Sequence, residues 1–221
     1  MKAVFVDFEM NPIDKEHRQL RKICPGEIIE IGAVKLDEND QEISSFKEYV
    51  RPKYATEMDA TCQELTGITM AMLQQADTFV PVFRRFLAWC NEPEENAYEM
   101  YAWSENDWRQ LNNELRLKKV NTKIDAVAWM LDHWQNFQQI YCNLLGLDNV
   151  ISLDKAVTAT GETFDGQMHD ALWDARNTAK LYTLSKKKDE FRKVMEAIIK
   201  VTTPSEPLTF SLAEAFQKAR R

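Results

Sequence analysis

The chain has 221 residues, with 28 Lys plus Arg against 35 Asp plus Glu, a formal charge of −7, and 44% hydrophobic and 29% charged residues. A chain this long buries a full core without staples, and the composition excludes disordered and collagen-like classes. Its longest unbroken apolar run, residues 126–131, is far short of the ~20 needed to span a bilayer. The acidic balance, taken alone, argues against a nucleic-acid partner held by a basic surface. Asp7 and Glu9 interrupt the first apolar stretch where a signal peptide would keep its core. Four cysteines without a Cys-x-x-Cys pair argue against a thiolate zinc site and for reduced thiols in a cytoplasmic protein.

In chain order, residues 3–10 (AVFVDFEM) predict a strand apolar on both faces, hence central in a sheet. A polar, partly basic loop follows to residue 25. Residues 27–36 (EIIEIGAVKL) and 43–50 predict two more strands around an Asp37–Asp40 turn, an antiparallel meander. Helical spacing is found over residues 57–65, 70–75 and 82–90. A short strand is expected at 97–103, then a helix at 106–118 with Trp108, Leu111 and Leu115 on one stripe. A short extended piece at 133–135 precedes helices at 136–145, 152–160 and 170–184. The pattern resumes after Lys186–Lys188 to residue 201, and Ser211 and Glu214 fit a capping box that opens a terminal helix. This order predicts an α/β fold with a mixed sheet flanked by helices. The main domain is expected at residues 1–185 and a C-terminal helical extension at 186–221. That extension is expected to pack back or to meet a partner.

Three groups of residues stand out chemically. Asp7 and Glu9 are two apart on a strand and share a face. Two adjacent carboxylates there lose water and repel each other, costs that a divalent cation removes, and oxygen ligands suit Mg²⁺ or Mn²⁺ better than zinc. By itself the pair reads equally as a solvated strand end. His169 and Asp174 are five apart, about 140° around a helix, so they are not an i, i+4 metal pair. They fit instead a His at a helix entrance and an Asp one turn in, the His serving as a general base. A helix-capping His and an ordinary ion-paired Asp fit as well. Asp107 stands in the first turn of a helix, where an acid also simply complements the helix dipole.

Together, Asp-x-Glu, an Asp a hundred residues on, and His-x-x-x-x-Asp resemble the DEDDh 3′→5′ exonucleases of the RNase T and proofreading-exonuclease superfamily. The opening strand VFVDFE and the segment ALWDARNTAKLY at 171–182 support the resemblance. CQELTGIT at 62–69, ADTF at 76–79 and FLAWC at 86–90 resemble the branch with the histone-mRNA 3′-exonucleases and the KapD-type bacterial enzymes. Position 170 is Asp, so the related class with Tyr four residues before the last Asp does not fit. The resemblance spans roughly residues 1–185 and implies a ribonuclease H-like sheet. It implies that Asp7, Glu9, Asp107 and Asp174 hold two divalent cations, Mg²⁺ or Mn²⁺, with Asp7 bridging both. It makes His169 the base that deprotonates the attacking water, the cations supporting an in-line displacement. Glu9 would also touch the terminal 3′-hydroxyl, and nucleoside 5′-monophosphates would leave.

The same resemblance places single-stranded RNA or DNA 3′ ends in the site, RNA being favoured. The family often has Thr two residues after the motif Glu, where this chain has Asn11, with Met10 beside it where a terminal base would rest. Arg18 and Arg21 offer a phosphate-binding rim or a plainly solvated loop, and Trp103 a stacking face or core packing. Two alternatives lack the chemistry: a catalytically silent nucleic-acid-binding or scaffold protein on the same fold, and a non-nucleolytic interaction domain, served by the C-terminal extension, whose motif match is chance. Two bound divalent ions would bring −7 to −3, so part of the acidic balance becomes the metal site itself.

Overall fold

The computed structural model describes residues 2–202. The chain opens with β1 (Lys2–Pro12), a single-turn α1 (Arg18–Arg21), β2 (Gly26–Leu36) and β3 (Glu42–Tyr49). Then come α2 (Ala60–Thr66), α3 (Met70–Gln74), α4 (Phe79–Cys90), β4 (Tyr98–Ala102), α5 (Glu105–Leu117), α6 (Asp125–Asp132) and β5 (Trp134–Asn136). α7 (Phe137–Leu145), α8 (Leu153–Ala159), α9 (Ala171–Lys186) and α10 (Lys188–Thr202) complete the described chain. The Ser211–Glu214 capping box lies outside the described residues. No helix among the described residues is long and apolar enough to cross a membrane.

The strands form one mixed sheet in the order β3-β2-β1-β4-β5. β1 runs antiparallel to β2 and parallel to β4, and the other neighbours follow suit, β2/β3 antiparallel and β4/β5 parallel. The expected meander is thus β1-β2-β3. Its second turn forms because Asp37 Oδ1 accepts the Asn39 and Gln41 N–H groups at 2.8 and 2.9 Å, and Asp40 takes a left-handed φ of 61°.

The two faces of the sheet carry separate cores. Val4, Val6 and Phe8 of β1 pack with Ile31 and Ala33 of β2, Val82, Phe83 and Phe86 of α4, and Leu111 and Leu115 of α5. Ala3, Phe5, Val34 and Leu36 face the other way, against Ala175 and Ala179 of α9. A further cluster, built on Phe137, Tyr141 and Leu145, takes in Phe191 and Val194, so α10 packs against the body.

α6 is a helix that the sequence pattern does not announce. Its apolar run buries only Val127 and Met130, so the stripe is one turn long and the sequence around it looks uniformly apolar.

Candidate active site

The face of β1 that carries Ala3 and Phe5 continues, by the two-residue repeat, to Asp7 and Glu9. Across the antiparallel ladder their partners are Leu36, Val34, Gly32 and Glu30 in turn. One sheet face is therefore apolar in its first half, under the body of α9, and acidic in its second half, under the start of α9. After Glu9 the register shifts, with Met10 opposite Ile28.

β1 pairs with β4 only as far as Phe5. The Phe8 N–H, freed by that divergence, donates to Asp107 Oδ1 at 3.3 Å. Ser104, the N-cap of α5, accepts the Asn106 N–H and donates its Oγ to Asp107 Oδ2 at 3.3 Å. Asp107 is thus buried, 4% exposed, and bound at the carboxyl ends of the parallel pair β1/β4, where α/β sheets commonly keep their sites.

α9 supplies the rest. Asp174 lies in its first turn, and its Oδ1 is buried with no hydrogen-bond partner. His169, just before the helix, adopts φ 61°, which turns the chain sharply. Ligand atoms of Glu9, His169 and Asp174 all lie within 4.8 Å of one another.

Electrostatics shows that the cluster is held against its own charge. Burial first, then Asp107, Asp174, Glu9 and Glu30, raise the Asp7 carboxyl well above the usual range. Burial and then Asp174, Glu30, Asp107 and Asp170 push Glu9 up to about 9. Burial takes Asp174 to about 7, with the His169 N–H pulling the other way. Asp107 rises to about 6, its burial opposed by the Phe8 N–H and Ser104. Four buried or half-buried carboxylates whose proton affinities are all raised, with one buried oxygen unpartnered, fit a hard divalent cation, for oxygen-rich sites of this kind suit Mg²⁺ or Mn²⁺.

The model of the Exonuclease family of RNase T type matches residues 4–182. The chain belongs to that family. This exonuclease-family chain is 29% identical over 161 residues to human 3′-5′ exoribonuclease 1, covering 70% of itself and 45% of the human protein. It is 27% identical over 184 residues to the probable 3′-5′ exonuclease KapD of Bacillus subtilis (strain 168), covering 82% of each. It therefore spans less than half of the human relative. The nuclease domain of 3′hExo, a DEDDh family member solved with rAMP, superposes with a TM-score of 0.71 at 23% identity over 85% of this chain and 92% of that one. The ribonuclease H-like mixed sheet expected from the sequence is the fold of this family member.

Two of the expected substrate contacts do not present a free face. Asn11 is 1% exposed. Its amide donates to Glu57 O at 3.0 Å and accepts the Asp59 N–H at 2.8 Å, so it ties β1 to the entry of α2. Trp103 is 6% exposed and packs on Phe137 and Tyr141, with ring centroids 6.0 and 5.6 Å away. The indole is core because β4 ends by turning it under α7. The neighbouring Trp108 is the exposed one. Met10 is half-buried against the sheet core. Arg18 is exposed and Arg21 half-buried on α1.

Sequence reading missed Gly32, Glu30, Lys47 and the capping role of Asp170. A Cβ on Gly32 would meet the backbone of Ala171 and Leu172 at 2.1 Å, so only glycine lets α9 approach the sheet there. Glu30 was the detectable signal: a carboxylate inside EIIEIGAV, on a strand buried on both faces, must find a partner.

Proposed function

We propose that this chain is a divalent-metal-dependent 3′→5′ exonuclease that hydrolyses phosphodiester bonds at the 3′ ends of single-stranded RNA or DNA and releases nucleoside 5′-monophosphates. The observation that carries the reading is the convergence of Asp7, Glu9, Asp107, Asp174 and His169, from β1, α5 and the entry of α9, on one acidic end of the sheet. Family membership and the names of the relatives support it. The exoribonuclease relatives favour RNA over DNA, though both fit the site's chemistry.

In this reading Asp7, Glu9, Asp107 and Asp174 hold Mg²⁺ or Mn²⁺, two ions by family analogy. Bound cations supply the positive charge that lets four adjacent carboxylates ionise together and offsets charge building on the phosphate. His169, exposed at the rim and close to Glu9 and Asp174, takes the proton of the attacking water. Glu9 accepts a hydrogen bond from the terminal 3′-hydroxyl, so the enzyme reads ends. Met10 supports the terminal base, and Arg18 and Arg21 on α1 meet upstream phosphates. The small footprint suits a chain of net charge −7.

The test is a panel of matched single- and double-stranded RNA and DNA oligonucleotides, with Mg²⁺, Mn²⁺ or chelator, and products weighed by mass spectrometry. Metal-dependent shortening from the 3′ end to 5′-monophosphates is expected, blocked by a 3′-phosphate and abolished in Asp7→Ala. No cleavage of any substrate with Mn²⁺ would overturn the enzymatic reading and favour the silent binding protein.

A further inference from the structure

On the reading of the four carboxylates as a metal site, we propose that Glu30 and Lys47 form a clamp that sets where Asp174 and His169 stand over Asp7 and Glu9. Both are positioning residues: neither touches a reacting atom.

Glu30 is 1% exposed and directly opposite Glu9 across the ladder. Like charges in that relation destabilise a strand pair, and this one joins a face already crowded with acid. Its bonds explain its presence. Glu30 Oε2 accepts the Ala171 N–H at 3.1 Å, joining β2 to the first residue of α9 across 141 positions of sequence. Glu30 Oε1 lies 3.3 Å from Lys47 Nζ. Lys47, which faces Gly32 from β3, also ion-pairs with Asp170. Asp170 Oδ1 in turn accepts the Leu172 and Trp173 N–H groups at 3.1 and 3.4 Å.

The first three N–H groups of α9 are thus taken by two carboxylates, and one ammonium bridges those carboxylates. Gly32 closes the arrangement from below, since it lets the Ala171 backbone rest on the sheet. Height, tilt and rotation of the first turn are set together. Asp174 is in that turn and His169 immediately precedes it. Metal ligands tolerate displacements of only about 0.2 Å, so whatever sets this turn sets the site. Lys47 also offsets part of the charge of the two acids that do the holding.

The experiment measures Mn²⁺ affinity by electron paramagnetic resonance titration for wild type, Lys47→Met, Glu30→Gln and Lys47→Arg. Metal-free melting, and kcat and KM on a 3′-hydroxyl oligoribonucleotide, are measured alongside. Lys47→Met and Glu30→Gln are expected to weaken Mn²⁺ binding by about tenfold or more, the usual effect of removing an outer-shell partner. They should lower kcat with little change in KM, and Lys47→Arg should restore most of the affinity. If the variants lose melting temperature but bind Mn²⁺ and turn over like wild type, the pair is merely structural and the proposal is overturned. Should both variants fail to fold, Asp170→Asn, which keeps the cap but not the ion pair, decides it: unchanged Mn²⁺ affinity overturns the clamp. A wild type that binds no Mn²⁺ sinks the metal reading and the clamp with it. A wild type that binds, beside variants that bind equally, sinks only the clamp.

Discussion

Gly32 of β2 and Ala171 of α9 touch backbone to backbone: a Cβ on Gly32 would stand 2.1 Å from the Ala171 carbonyl carbon. Gly32 also pairs with Asp7, so this contact joins the two halves of the site. Gly32→Ala must lift α9 off the sheet. Overpacking of this kind costs about 1–3 kcal/mol or more, and a ~1 Å shift of Asp174 costs on the order of 10²-fold in rate. Urea unfolding and single-turnover kinetics measure the two losses, and a wild-type rate would contradict the argument.

The acidic cluster makes metal-free stability depend on pH in an unusual sense. Glu9, Asp174 and Asp107 titrate at about 9, about 7 and about 6 in the folded chain, against ~4 when unfolded. Between those limits the folded protein binds more protons than the unfolded one, so stability is present below about pH 4 and is lost as pH rises toward 9. Melting in chelator should fall from pH 5 to pH 9. Mn²⁺ should restore it with proton release, measured by calorimetry in buffers of different ionisation enthalpy. A flat metal-free profile would show that the carboxylates do not repel.

Asp174→Asn removes one charge and keeps the shape. Its buried Oδ1 has no partner to lose, and Asp7 and Glu9 lose a repulsive neighbour. The metal-free protein should gain about 1 kcal/mol at pH 8, where Asp174, pushed up to about 7 chiefly by burial, carries a disfavoured charge, while turnover and Mn²⁺-induced stabilisation disappear. A destabilised metal-free variant would refute this.

His169 holds φ 61° without being glycine, a conformation that costs an L-residue about 1 kcal/mol. His169→Gly and His169→Ala should both lose turnover, with the glycine variant the more stable by about that amount. Equal stabilities would show that the turn relaxes.

Away from the site, Lys118 is 9% exposed at its side chain and ion-pairs with the buried Glu27 and, at 3.3 Å, Glu114. Glu27 accepts the N–H groups of Lys53, Tyr54 and Ala55, so it organises that loop. Lys118→Met strands two buried carboxylates and should cost about 3–5 kcal/mol. The loss should be relieved on acidification, since Glu114 already titrates at about 7. Unfolding at pH 5 and pH 8 checks this.

Much of this was readable along the chain because it is local. β-Branched and aromatic runs mark β1 and β2, and the two-residue repeat puts Asp7 and Glu9 on one face whatever the fold. Helix caps such as Ser104 and Ser152 stand within three residues of the N–H groups they accept. The resemblance that joined Asp107, His169 and Asp174 to the Asp-x-Glu pair rested on order and spacing, which are also properties of the chain alone.

What only the tertiary structure decided is long-range. Residue type cannot tell that Trp103 turns into the core while Trp108 stays out, because both stand beside Asp107 and the choice depends on where α7 packs. Asn11 reads as polar loop until the chain returns 46 residues later to place Glu57 O against its amide. Glu30, Gly32 and Lys47 acquire their meaning from a helix start 123–141 residues further on. The charge of −7 belongs to the sequence; that four of its acids converge on one end of the sheet, against their mutual repulsion, belongs to the packing that holds them there.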